Sequence, residues 1–225
     1  MTFHPAKYPM PDWTGETVFI LGGGPSLKGF DPRRLRGHKV IGVNEAGLSL
    51  CPWADILFWA DMRWIQWNAP RLHLHTGEYR YTCQLAGLTE DMRARYIEWK
   101  PRITDEPNLK WNAFDLDPEK VAGFDGGSRC INLAYHTGAE RVVLLGFDMH
   151  DLPMTSWRDG NFHSEHAEPP LEGQRAEKFI PAHDRMATEI ERLRESDEGF
   201  TFEVLNATPN SALRCWPRVK LENVL

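Results

Sequence analysis

The sequence predicts an α/β fold built on a mostly parallel sheet, with helices on both faces and a long lid-like loop. Three observations predict it. Short apolar runs recur along the chain, helical patterns fall between them, and a glycine-rich turn leaves the first run. Near-continuous apolarity marks strands covered on both faces, and strand–helix alternation is the signature of parallel βαβ units.

The predicted strands are TVFILG (17–22), HKVIGVN (38–44), ADILFWAD (54–61), RVVLLGFD (141–148) and FTFEVLN (200–206). Helical patterns occupy 31–37, 62–73, 128–138 and 172–196, with Ser128 predicted as an N-cap and Gly138 as the residue that stops the third helix. The order is that of a single Rossmann-like domain over 1–225, carrying a small insertion at 83–124 and a lid loop at 149–174. The lid is polar, rich in Pro and Gly, and too long for a simple connector; loops of that length usually wall or cover a site.

Composition narrows the function classes. With 225 residues and 41% hydrophobic content, the chain has enough apolar surface for a full core. A net charge of -6 and a pI of about 5.9 exclude a broad basic face for nucleic acid, leaving only the short stretches DPRR and RLRGHK within 31–39 as a small patch. Cys51, Cys83, Cys130 and Cys215 are scattered without a CxxC pair, which argues against a zinc knuckle and a disulfide framework and for buried thiols in a reducing compartment. The N-terminus lacks a signal-peptide core, and no stretch approaches the ~18 apolar residues of a membrane span. A cytoplasmic protein with no membrane span is expected.

The turn after the first strand, Gly22, Gly23, Gly24, Pro25 and Ser26, stands where open α/β sheets bind phosphate. Glycines let backbone N–H groups approach an anion, and Ser26 adds a hydroxyl donor. The turn lacks the Lys-Ser/Thr ending of the P-loop, and Leu27 occupies the third glycine position of the dinucleotide fingerprint. Its alternative is a tight strand exit with no ligand. Asn44, Asp61 and Asp148 close three other predicted strands at the same edge, each of them either a ligand contact or a turn cap. Gly127 and Ser128, in DGGSRC (125–130), open a helix where a second anion or a ribose would bind, unless they only cap it. His163 and His166, in NFHSEH of the lid, suit general acid/base work; a metal would need Asp159 or Glu165 as well, and no HExxH pattern is present. Trp53, Trp59, Trp64 and Trp67 cluster, either to stack on a base or sugar or to pack the core and its rim.

In order, GGGPSL, VIGVN, DGGSRCINLAYHTGAERVVLLGFD, HSEH and FEVLNATPNSAL resemble the bacterial sialyltransferases of glycosyltransferase family forty-two. They also resemble the neighbouring unknown-function domain family that includes the archaeal 6-hydroxymethylpterin pyrophosphokinase. The resemblance spans about 17–213, and similar small proteins in tailed-phage genomes imply a phage origin and the host cytoplasm. It implies a donor nucleotide held by Gly22, Gly24, Pro25, Ser26 and Asn44, with Ser128 near base or ribose and Asn210 and Ser211 in the closing PNS element. His166 would be the general base that deprotonates an acceptor hydroxyl as the nucleotide phosphate leaves. Gly23 and Asp61 stand where the family has asparagines, and His150, with Ser156 and Trp157, stands where it has tyrosines, so the sugar is left open.

Three functions are therefore expected to compete. The first is a nucleotide-sugar-dependent glycosyltransferase with a CMP-sugar-like donor, a glycan or modified-nucleotide acceptor and no required cofactor. The second is a Mg²⁺-dependent pyrophosphoryl or nucleotidyl transferase in which Asp61 and Asp148 hold the metal. The third is a nucleotide-binding protein without catalysis.

Overall fold

The computed structural model describes residues 9–84, 89–99, 114–150, 162 and 179–225. Its centre is a seven-stranded sheet in which every pairing is parallel. The strands are β1 (Thr17–Leu21), β2 (Lys39–Val43), β3 (Ile56–Trp59), β4 (Tyr79–Thr82), β5 (Arg95–Tyr96), β8 (Arg141–Leu145) and β9 (Glu203–Asn206). Two further strands, β6 (Glu98–Trp99) and β7 (Lys120–Val121), form a separate parallel pair. The five predicted strands are all present. The segment 83–124 is not wholly an insertion, because its β5 extends the main sheet beyond β4.

Both faces are covered, which is why the central strands are apolar throughout. Val18, Ile20, Val142 and Leu144 point to one face, under α2 (Gly126–His136) and α3 (Ile180–Ser196) through Ile131, Met186 and Ile190. Phe19, Leu21, Val143 and Leu145 point to the other, under 3₁₀ turns at Pro25–Leu27 and Pro32–Leu35. Farther along that second face, Leu57 and Trp59 pack on Trp64 and Ile65 of α1 (Met62–Asn68).

Local chemistry sets the helix ends. The pattern 62–73 divides into α1 and a 3₁₀ turn at Ala69–Leu74, because Pro70 has no N–H to continue an α-helix. The pattern 31–37 yields only the turn Pro32–Leu35, with Asp31 accepting from the Arg33 N–H. Gly138, with φ of +85°, follows the last turn of α2 and ends it as predicted. Helix α2 itself starts earlier than predicted: Asp125 is the N-cap, and Ser128 lies in the first turn. Of the predicted helix 172–196, residues 172–178 lie outside the described residues. Among the described residues, no helix is long and apolar enough to cross a membrane.

Of the clustered tryptophans, two are in the core and one is on its rim. Trp59 and Trp64 are buried with ring centroids 6.2 Å apart, and the Arg36 guanidinium lies 3.8 Å over the Trp53 ring. The four cysteines are free, and Cys51, Cys83 and Cys130 are buried.

Backbone meets backbone where β2 packs on the π turn Ala46–Leu50. A Cβ on Gly42 would stand 2.2 Å from the Gly47 Cα, so neither a rotamer change nor a side-chain shift relieves the clash. Gly42→Ala is therefore expected to cost about 3 kcal/mol, read as a lower urea midpoint at unchanged slope.

Candidate functional site

The strand order β5-β4-β3-β2-β1-β8-β9 reverses between β1 and β8. After β1 the chain turns over the second face, where Leu27 packs, while Phe147 after β8 packs on the first. Ligands of open parallel sheets bind at such a reversal.

The two exits are bonded to each other. Gly22 N–H donates to Leu145 O and Gly24 N–H to Gly146 O, both at 2.8 Å. A Cβ on Gly24 would lie 1.9 Å from Asp148 Oδ2, and one on Gly22 would lie 2.7 Å from Gly146 O. Glycine is required here by the chain's own second exit. Ser26 then gives both of its donors to Asp148: its N–H to Oδ1 at 3.1 Å and its hydroxyl to Oδ2 at 2.7 Å. The predicted phosphate cradle is thus corrected: its Ser26 donors hold an internal carboxylate. Gly23 is the exception, because its N–H has no partner among the described residues while its C=O accepts from Phe162 N–H at 2.9 Å. Asp148 is 6% exposed, and burial pushes its carboxyl above the ordinary 3.8, against the opposing pull of the Ser26 hydrogen bonds.

The exit of β8 is held from behind by the segment after β9. Thr208 Oγ1 accepts from Phe147 N–H, Ser211 Oγ donates to Phe147 O, and Ala212 N–H donates to Asp148 O. Asn206 completes the set by donating its side-chain amide to Ser211 Oγ at 3.0 Å. Ser211 is fully buried and acts on backbone, which corrects its expected place beside the nucleotide. Asn210 stands exposed at the turn with φ of +54°.

Gly127 and Ser128 are likewise structural. The Asp125 carboxylate accepts from the N–H groups of Gly127 and Ser128 and from the Ser128 hydroxyl, which in turn accepts from Asp125 N–H. This reciprocal cap leaves Ser128 with no exposed surface for a ribose. A Cβ on Gly127 would lie 2.3 Å from the Phe147 ring, so this glycine seats α2 on the β8 exit. Asp125 Oδ2 also lies 3.3 Å from His183 Nε2 of α3. Trp216 Nε1–H donates to His183 Nδ1 at 3.2 Å on the other side of the ring. Burial alone would raise the Asp125 carboxyl; His183 and Ser128 outweigh it and hold it at about 2.

Asn44 differs from these. It leaves β2 in the left-handed region at φ +53°, with its N–H on Phe58 O and its C=O accepting from Gly47 N–H. Its Oδ1 is enclosed and has no hydrogen-bond partner among the described residues. A buried acceptor without a donor is costly and marks a place for a ligand or a bound water. Next to it, Glu45 is buried and paired with Arg71 at 2.9 Å, a contact that no local sequence pattern announces.

Asp61 caps α1, accepting from Arg63 N–H at 2.8 Å. Strands β3 and β8 are three spacings apart in the sheet, about 14 Å, and each of the two aspartates expected to hold Mg²⁺ has protein donors of its own, Asp61 from Arg63 and Asp148 from Ser26. The basic stretch 31–39 is compensated: Arg33 pairs with Asp31, Arg34 with Glu222, and Arg36 covers Trp53. His163 and His166 lie outside the described residues. Against known proteins, no family model matches the chain, and no curated protein matches it.

Two outcomes follow from the Ser26–Asp148 pair. Ser26→Ala removes the hydroxyl donor from a buried carboxylate and leaves only the backbone N–H; it costs about 2 kcal/mol, falling to about 1 kcal/mol in an Asp148→Asn background, by urea denaturation of the four proteins. Because folding raises the Asp148 pKa, the native state binds that proton more tightly than the unfolded chain. Wild-type stability relative to Asp148→Asn therefore falls as pH rises from 3.8 through the raised native value, then stays level.

Proposed function

We propose that the chain is a nucleotide-sugar-dependent glycosyltransferase holding a CMP-sugar-like donor at the carboxyl edge of the sheet, over the exits of β1 and β2. Asn44 carries the proposal: its enclosed, unpartnered Oδ1 at the carboxyl end of β2 calls for a donor, and the hydroxyls and amino group of a cytidine nucleotide supply one. Gly23 N–H is the loop amide left for the phosphate. The order of motifs shared with the sialyltransferases supports the chemistry.

In this reading His166 takes the proton from an acceptor hydroxyl on a glycan or modified nucleotide. The acceptor oxygen bonds to the anomeric carbon as the bond from that carbon to the phosphate oxygen breaks, and CMP departs with the electron pair. The direct displacement calls for no metal, and the cytoplasm, or host cytoplasm for a phage protein, supplies the donor.

Thermal-shift measurements with CMP test the donor. At about 100 times its dissociation constant CMP adds roughly 2.7 kcal/mol of stability with or without Mg²⁺. Asn44→Gly keeps the left-handed backbone and removes the acceptor, so it weakens CMP about tenfold. Stabilisation only by a triphosphate with Mg²⁺ would overturn the proposal. His166→Ala is expected to abolish hydrolysis of the nucleotide-sugar while CMP still binds; hydrolysis that persists contradicts the assigned base.

A further inference from the structure

On the second face, beside the Ser26–Asp148 pair, lies a cavity of about 340 Å³. It rests against the carboxyl ends of β1, β8 and β9 and is walled by the C-terminal residues 218–222. No motif of the sequence pointed to it. Its volume falls at the lower end of the roughly 300–1,000 Å³ typical of small-molecule sites.

The lining has two characters. Leu27, Phe30, Leu145 and Leu221 give it an apolar side. Among the described residues Arg34, Arg218 and Lys220 face it with Glu222 as the only carboxylate, a local positive excess on a chain of net charge -6. Arg34 already holds an anion there: its guanidinium lies 2.8 Å from Glu222 Oε1, and both side chains are solvent-exposed. Arg218 is anchored by donating to Ser211 O, and Lys220 forms no ion pair among the described residues. An exposed pair of this kind contributes little stability, so an incoming anion displaces Glu222 cheaply.

We infer that this cavity binds an organic phosphate with an apolar body, its ring or chain on the leucine-lined side and its phosphate between Arg34 and Lys220. A bare phosphate leaves the apolar side unfilled, and a neutral apolar molecule leaves the cations unmatched. Guanidinium and ammonium groups together suit a phosphate, the first by bidentate hydrogen bonds and the second as a point charge. The site uses neither Asn44 nor Gly23, and it meets the exits of β1 and β8 at Ser26 and Gly146.

Calorimetric titration with phenyl phosphate, phenol and inorganic phosphate tests this. Phenyl phosphate is expected to bind at least about tenfold tighter than either fragment. Lys220→Glu weakens it about tenfold, and Glu222→Gln tightens it several-fold, by removing the competing carboxylate. Both substitutions are at exposed positions, and their opposite signs separate a charge effect from a loss of fold. Asn44→Gly leaves the phenyl phosphate affinity unchanged. The inference is overturned if phenyl phosphate fails to bind, if inorganic phosphate binds as well, if neither charge substitution moves the affinity, or if Asn44→Gly abolishes it.

Discussion

A buried carboxylate must be given hydrogen-bond donors, and Asp148 receives both of its donors from Ser26 across the point where the sheet changes direction. That requirement fixes much else. It brings the exits of β1 and β8 so close that Gly22 and Gly24 have no room for a side chain. It also demands that the β8 exit be immobile, which the bonds from Thr208, Ser211 and Ala212 to residues 147 and 148 provide. The carboxyl edge of the sheet is therefore one cross-braced unit drawn from three strand exits.

The bracing decides which polar groups remain for a ligand. Hydroxyls and amides that look like phosphate donors in a linear motif are consumed in holding the edge together. What is left among the described residues is the unpartnered Asn44 oxygen after β2, the Gly23 amide after β1, and the cations of the cavity on the second face. Asp125, His183 and Trp216 join α2, α3 and the C-terminal segment through a buried chain of polar contacts.

The five predicted strands were legible because each is a mostly apolar run bounded by turn signals. β4 and β5 were not. The YRYT of β4 carries Arg80, whose guanidinium finds the carbonyls of Leu72, His75 and Met92, and β5 has only two residues. The end of α1 was missed although Pro70 signals it. Ser128 was taken for an N-cap because a capping box is reciprocal, placing an Asp and a Ser three residues apart with either able to fill the role. Strand-end positions of the site residues were legible; their partners were not. Ser26 and Asp148 are 122 residues apart, and no local pattern says that the loop's anion is the chain's own. The same holds for the second-face cavity, assembled from the turns after β1, the end of β9 and the C-terminus.

The central claim is that the glycine turn is organised by the Asp148 carboxylate. Its most direct test is an NMR titration that follows the Asp148 side-chain carboxyl carbon and the Ser26 amide proton together. The carboxyl is expected to titrate above 3.8, with the Ser26 amide moving at the same midpoint as its acceptor changes charge. A Ser26 amide indifferent to the carboxyl titration would contradict the account.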